Sequence, residues 1–207
     1  MLGQQIRAWE VLDDRVLDVL QRTPRERFVP EDYRDLAFAD VEIPIGREQH
    51  MMAPKIEGRL LQALQVTPID HALEVGTGSG YLTACLAALG KSVHSVDIFA
   101  DFIEAARVKL AGQGIYNVEL NATDAMTASF AEQYDAIAVT GSVPVLDDRF
   151  IRLLRPEGRL FIVVGRAPVM EALLITMRAD GTWQRESLFE TVIAPLIHSE
   201  RPEPFVL

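Results

Sequence analysis

The stretch from His71 to Tyr81, HALEVGTGSGY, constrains the fold more than any other part of the chain. Ala72-Leu73-Glu74-Val75 is short and mostly apolar, which reads as a buried strand. Gly76, Gly78 and Gly80 follow at alternate positions. The run Tyr81–Leu89 then reads as a helix, stopped by Gly90. A strand, a glycine turn and a helix N-terminus bring backbone close to a ligand. Free N–H groups at such a turn favour a negative group.

Two phosphate-binding readings fail on residue identity. A phosphate loop ends in Gly-Lys-Ser/Thr, and this turn holds no lysine. A dinucleotide fingerprint needs G-x-G-x-x-G, and counting from Gly76 the last place is taken by Tyr81. What stands here is acidic-x-Gly-x-Gly-x-Gly, from Glu74 to Gly80. That pattern resembles the first motif of the S-adenosylmethionine (SAM)-dependent methyltransferases with a Rossmann-like fold. SAM carries a carboxylate, an ammonium, a ribose and a sulfonium. The resemblance implies that the glycines admit the methionine tail and that Glu74 suits its positive centres. A glycine turn with no ligand is the plain alternative.

The length of 207 residues suits one domain. We expect that domain to span 1–207, with 1–66 as an N-terminal helical cap and acceptor-site loop. A net charge of −10 argues against a nucleic-acid backbone as partner. No apolar run approaches membrane-spanning length, so no membrane partner is expected. The single cysteine, Cys85, excludes an intrachain disulfide and suits a reducing compartment. Met1–Arg15 is polar with both charge signs, so no secretory leader is read and a cytoplasmic location is expected. The four histidines are scattered and no metal site is expected.

Along the chain, Leu2–Gln21 predicts one or two short helices with Ile6, Trp9, Val11, Leu12, Val16, Leu17 and Leu20 along one side and Asp13 or Asp14 as a cap. A short helix is expected over Glu31–Leu36, an irregular loop over Leu36–Pro54, and a helix over Lys55–Leu64 opened by Pro54. Ser92–Asp97 reads as a second strand. Asp97 ends it about twenty residues past the first glycine, where an acidic side chain in nucleoside-binding sheets accepts from ribose hydroxyls. A helix follows from Phe102 to Leu110.

Asn117–Asn121 reads as the third strand. Asp124 follows it on the same edge as Asp97, either as an acceptor for an adenine amino group or as a turn cap. Tyr134–Thr140 is the fourth strand, with Gly141–Pro144 as a loop at the rim. Phe150–Leu154 is read as the end of a helix, and Arg159–Gly165 as the fifth strand. Two strands, Ala172–Arg178 and Trp183–Ile193, flank the Asp180-Gly181 turn as a hairpin. The expected class is a doubly wound, three-layer α/β/α sheet, mostly parallel, with an antiparallel C-terminal strand pair.

With these elements placed, the chain resembles the protein-L-isoaspartate (D-aspartate) O-methyltransferase family over nearly its full length. The stretches that carry the likeness are QQIRAWEVLDDRVLDVL, RERFVP, LAFADVEIPIG, EVGTGSGY, YDAIAVTGSVP and LLRPEGRLFIVVG. The resemblance implies SAM as cosubstrate, held by Glu74, Gly76, Thr77, Gly78, Ser79 and Gly80. It implies Asp97 on the ribose and Asp124 with Ala125 on the adenine. It also implies a protein or peptide carboxylate as methyl acceptor.

One loop departs from the family. Its members carry Gly-Gln-Thr-Ile-Ser-Gln-Pro before the first core helix, with the serine at the methyl-transfer site. Laid against Glu48–Pro54, this chain has His50 at the threonine and Met52 at the serine. Met52 and His50 are therefore the candidate acceptor-site residues, His50 as a general base where an acceptor needs one. Met51 and Met52 offer an adaptable apolar wall, or simple packing of the loop. The alternatives left by this loop are another carboxylate or small-molecule acceptor, or a SAM-binding protein without catalysis.

Overall fold

The computed structural model describes residues 9–199. Ile6 and the first part of the expected N-terminal helical stretch lie outside the described residues. Helix α1 (Asp14–Arg22) is capped by Asp13, whose carboxylate accepts from the Arg15 amide. Two 3₁₀ turns follow, Arg25–Arg27 and Glu31–Leu36. Next come β1 (Ile43–Gly46), β2 (Gln49–Met51) and α2 (Pro54–Leu64), with Pro54 opening the helix as its fixed φ allows.

The main sheet and its helices then alternate: β3 (His71–Val75), α3 (Tyr81–Leu89), β4 (Ser92–Asp97), α4 (Ala100–Gly112), β5 (Val118–Ala122) and β6 (Tyr134–Val143). The chain ends its regular structure with β7 (Leu154–Arg166), β8 (Val169–Met177) and β9 (Trp183–Glu190).

The strands order as β5-β4-β3-β6-β7-β8-β9. Pairs from β5 through to β7 are parallel, and β7–β8 and β8–β9 are antiparallel. This is the doubly wound α/β class read from the sequence. The chain starts at β3, moves outward to β5, and returns beside β3 as β6. Right-handed crossovers then force the two halves onto opposite faces. On one face, Leu60, Leu61 and Leu64 of α2, Leu86 of α3 and Ala106 of α4 pack on Ala72, Ala136, Ala138 and Phe161. Val11, Val16, Leu20 and Phe28 from the front of the chain join that same core, whereas Leu12, expected on the same side, precedes the helix cap and is exposed.

The other face buries Leu73, Val75, Ile137, Val139 and Leu160. The segments around Phe130, Leu146 and Phe150–Leu153 cover it. The expected helix ending at Phe150–Leu154 is absent. Only a 3₁₀ turn over Ile151–Leu153 forms before Leu154 enters β7. Its apolar residues meet the sheet within a single turn, which leaves no need for a helical stripe.

Further boundaries differ: β7 begins at Leu154 rather than Arg159 and β8 at Val169 rather than Ala172. The loop expected over Leu36–Pro54 contains the antiparallel pair β1–β2. Its reversal is made by Arg47 and Glu48, both at positive φ (52° and 58°), which carry no Asn-Gly or Asp-Gly signal. Gly141–Val143, expected as loop, extends β6. The last strand stops at Glu190 rather than Ile193, because the chain turns back there to bond Ser142. The Ser142 amide donates to Ala194 O at 2.9 Å, and the Leu196 amide donates to Ser142 O at 2.9 Å.

Asp70 locks the lower end of the sheet. It accepts from the Thr67 amide (3.0 Å), the Thr67 hydroxyl (2.7 Å) and Arg159 of β7 (2.7 Å). Burial alone raises a carboxylate pKa, but these hydrogen bonds and the Arg159 charge together hold Asp70 below the usual range. Its stabilisation is therefore present above the unfolded value near 4 and is lost as pH falls through the depressed folded value. We expect Asp70→Asn to lower stability by about 1–3 kcal/mol at neutral pH. In urea unfolding, that difference from wild type should shrink at about pH 3. An equal gap at both pH values would overturn this account.

Candidate active site

The strand order reverses between β3 and β6, so the carboxyl ends of β3, β4, β5 and β6 diverge around one crevice, the position where open α/β sheets bind ligands. A cleft lies there, open to solvent.

The glycine turn forms its floor. Gly76 has φ +96°, and a Cβ there would stand 2.1 Å from Thr140 Oγ1 on β6. Thr140 in turn donates to Val75 O (2.9 Å) and Gly76 O (3.0 Å). Gly80, at φ +85°, leads into α3, and a Cβ there would stand 3.0 Å from the Ala106 Cβ of α4. The turn thus needs glycine for close approach of neighbouring elements.

The turn's amides, read from sequence as free for a negative group, are largely committed. Gly76 and Thr77 donate to Val96 O, and Gly80 to Thr77 O. The Gly78 amide donates to Asp97 Oδ2 at 2.9 Å. What the turn offers a ligand is room, not a nest of donors.

Acidic side chains surround that room. Asp97 is buried at the end of β4 and also accepts from the Phe99 amide at 2.9 Å. Burial raises its pKa, against the opposing pull of the Gly78 and Phe99 amides. Glu74 is fully buried under the turn. One of its oxygens accepts from the Thr83 and Ser95 hydroxyls, and Ser95 also meets Thr77 Oγ1 at 2.6 Å. Its other oxygen, Oε1, is buried with no hydrogen-bond partner among the described residues, and Glu74 borders the cleft. Burial pushes the Glu74 carboxyl up to about 8, only partly offset by the two hydroxyls.

Asp124 lies beyond β5 and accepts from the Met126 amide (2.9 Å) and from His198 Nδ1 (2.8 Å). Burial would raise its pKa, but those bonds bring it below the usual range. Ala125 is buried beside it.

The front of the chain closes the other side. Met51 and Met52 are buried at the end of the β1–β2 hairpin, while His50 is exposed, and all three border the cleft. Ile45 of β1 leans over the turn, its Cδ1 3.2 Å from where a Gly78 Cβ would be. Arg47 pins the hairpin to α4, with Nε 2.9 Å from Asp101 Oδ2 and the guanidinium 5.0 Å from the Phe99 ring centre.

Every site residue read from the sequence thus borders this crevice or forms its turn. Sequence reasoning passed over Thr140, Ser95 and Glu57. Thr140 and Ser95 stand inside strands, Thr140 as an ordinary β-former and Ser95 as a small polar residue between His94 and Val96. Glu57 is a buried carboxylate on α2 that reaches the cleft wall. A charge beside the apolar face of an amphipathic helix was the one available signal. Among the described residues, no three His, Cys, Asp or Glu side chains are grouped for a metal ion. No described helix is long and apolar enough to cross a membrane.

A sheet of this order, with a glycine turn after its first parallel strand and acidic residues at the ends of the next two, defines the class of Rossmann-like methyltransferases. The family model for protein-L-isoaspartate(D-aspartate) O-methyltransferase (PCMT) matches residues 1–201. A protein-L-isoaspartate O-methyltransferase of Rhodopseudomonas palustris is 35% identical over 209 residues, covering 99% of this chain and 96% of that one. One from Xanthomonas oryzae pv. oryzae is 36% identical over 198 residues, covering 95% and 87%. A Plasmodium falciparum crystal structure described under the same enzyme name, in complex with S-adenosyl-L-homocysteine (SAH), superposes with a TM-score of 0.83. It is 21% identical and covers 94% of this chain and 96% of that one. The chain belongs to the protein-L-isoaspartate(D-aspartate) O-methyltransferase family and is a SAM-dependent methyltransferase of that kind.

Replacing Gly76 by alanine places a Cβ against Thr140 at a positive φ. The expected loss of stability is about 1–3 kcal/mol, read by denaturant titration. An alanine tolerated at the wild-type midpoint would mean that the turn reshapes freely.

Proposed function

We propose that this enzyme methylates the side-chain carboxylate of isoaspartyl residues in proteins and peptides. The observation that supports this best is the meeting of the acidic strand ends with the Met52 segment around one cleft, in a chain of this family.

The residues present fit SAM by charge and shape. A cationic ligand suits a wall of Glu74, Asp97 and Asp124. The orphaned Glu74 Oε1 is an acceptor awaiting a donor such as the ammonium. Asp97 keeps lone pairs for the ribose hydroxyls, and Asp124 with Ala125 flanks the adenine. Gly76, Thr77, Gly78, Ser79 and Gly80 leave space for the methionine tail. When bound, SAM supplies a methyl group made electrophilic by the adjacent sulfonium.

The chain's own task is then modest. A carboxylate acceptor, with pKa near 4, is already ionised at neutral pH and needs no general base. The protein must hold it in line, at short range, and exclude water. Met51 and Met52 provide the dry wall, and His50 stands at the mouth. No hydroxyl replaces the family serine at Met52. That favours a second reading, in which the acceptor is another carboxylate or a small molecule.

Methyl release from an isoaspartyl peptide incubated with SAM is the direct test. Turnover is expected. SAM binding without turnover, on this peptide or on small carboxylates, would leave only a binding protein. Turnover gained with Met52→Ser from a silent wild type would support the second reading.

Binding carries a further signature. At pH 7 a Glu74 carboxyl near 8 is mostly protonated. A cation beside Oε1 lowers that pKa, so binding should expel up to about one proton. Calorimetry of SAM binding in buffers of differing ionisation enthalpy should detect the release, and Glu74→Gln should abolish it. Asp97→Ala should weaken SAM by roughly tenfold or more. Binding with no proton released would exclude Glu74 from the cosubstrate site.

A further inference from the structure

Arg25 is a guanidinium with 1% of its surface exposed. It lies in a 3₁₀ turn of the front segment, remote in sequence from the glycine turn. Its donors diverge to three partners. Nε donates to Ala37 O at 2.7 Å, Nη2 donates to Met52 O at 2.7 Å, and Nη1 donates to the Glu57 carboxylate. The guanidinium carbon also sits 4.8 Å from the centre of the Tyr81 ring. Tyr81 is the first residue of α3, directly after Gly80. One side chain therefore touches the cap, the acceptor loop, α2 and the helix that opens from the cofactor turn.

Stability does not explain such an arrangement. Taking a charge pair out of water costs about what the pair regains, and apolar residues of similar volume often serve a core as well or better. What an apolar core cannot do is fix a backbone carbonyl in direction. A planar fork with several donors can. The carbonyl it fixes belongs to Met52, whose side chain walls the acceptor end of the cleft. Glu57 orients the fork and itself reaches the same wall.

We propose that Arg25, oriented by Glu57, is the positioning residue of the methyl transfer, holding the Met52 segment at a fixed offset from the cofactor turn. This rests on the isoaspartyl reading given above. Neither residue touches the reacting atoms. They act through the placement of Met52, in a reaction where a misplacement of about 1 Å costs roughly a hundredfold.

The test compares wild type with Arg25→Lys and with the double variant Arg25→Met/Glu57→Leu. The lysine keeps a charge opposite Glu57 but cannot serve three divergent acceptors. The double variant removes both charges together, so neither is left buried alone. Both should bind SAH with wild-type affinity in calorimetry. Both should lose roughly ten- to a hundredfold in kcat on an isoaspartyl peptide, with the KM for SAM unchanged. A merely structural pair would predict the reverse: any variant that folds and binds SAH turns over normally. Wild-type kcat in either folded variant overturns the proposal alone. A wild-type enzyme that binds SAM but leaves the peptide unmethylated removes the isoaspartyl reading, and this proposal with it.

Discussion

The contact between Asp97 and the Gly78 amide is the interaction on which the rest of the site depends. It closes the reversal after β3 onto the end of β4, and Val96 O completes the closure by accepting from Gly76 and Thr77. With most of its amides satisfied inside the protein, the turn needs no ligand to hold its shape. The crevice is then built before anything binds, and α3 leaves it at an angle set by Gly80 against Ala106. Pre-formed geometry of this kind spares the ordering entropy that a floppy turn would give up on binding.

Charge completes what geometry begins. A cleft walled by Glu74, Asp97 and Asp124 is poorly suited to a phosphate or to any ligand whose only charge is negative. It suits a cation. In the proposed reaction, the sulfonium becomes a neutral thioether as its methyl group leaves. The acidic wall thus favours substrate over product through its charge alone. Glu74 can relax by taking a proton once the ligand and its ammonium have left, since burial already places its carboxyl near 8. The same burial that makes Glu74 costly as an anion makes it responsive to the charge of its ligand.

How much of this was legible in the sequence follows from the range of each signal. β3, β6 and β7 announced themselves as apolar runs, β4 and β5 as shorter segments of mixed polarity, and the glycine turn through its alternate spacing. Asp97 was legible because its distance from the first glycine is a consequence of one strand-helix-strand unit. The β1–β2 hairpin was not, because its strands are only four and three residues long and its turn uses Arg47 and Glu48. The missing helix near Phe150 was misread because a few apolar residues at a sheet edge look alike in a helix and in a 3₁₀ turn. The commitment of the turn's amides was invisible as well. Those bonds run to Val96 and Asp97, about twenty residues away, and only the packed sheet brings them together.

The least legible part was the buried pair behind the acceptor loop, and the reason is instructive. Arg25 stands among exposed charges in a segment broken by Pro24 and Pro30. By composition it belongs on the surface. It is drawn inward because three acceptors converge where it sits, and each lies on a different segment of the chain. No local pattern encodes such a convergence. A buried charge of this sort is stable only when every partner is in place. The loop bearing Met52, the cap and the first turn of α3 must therefore assume their positions together. The acceptor end of the cleft inherits its geometry from that joint condition, whereas the cosubstrate end takes its geometry from the sheet. One half of the site is thus held by the strand order, and the other by side chains that tie the front segment down, Arg25 foremost and Arg47 beside it.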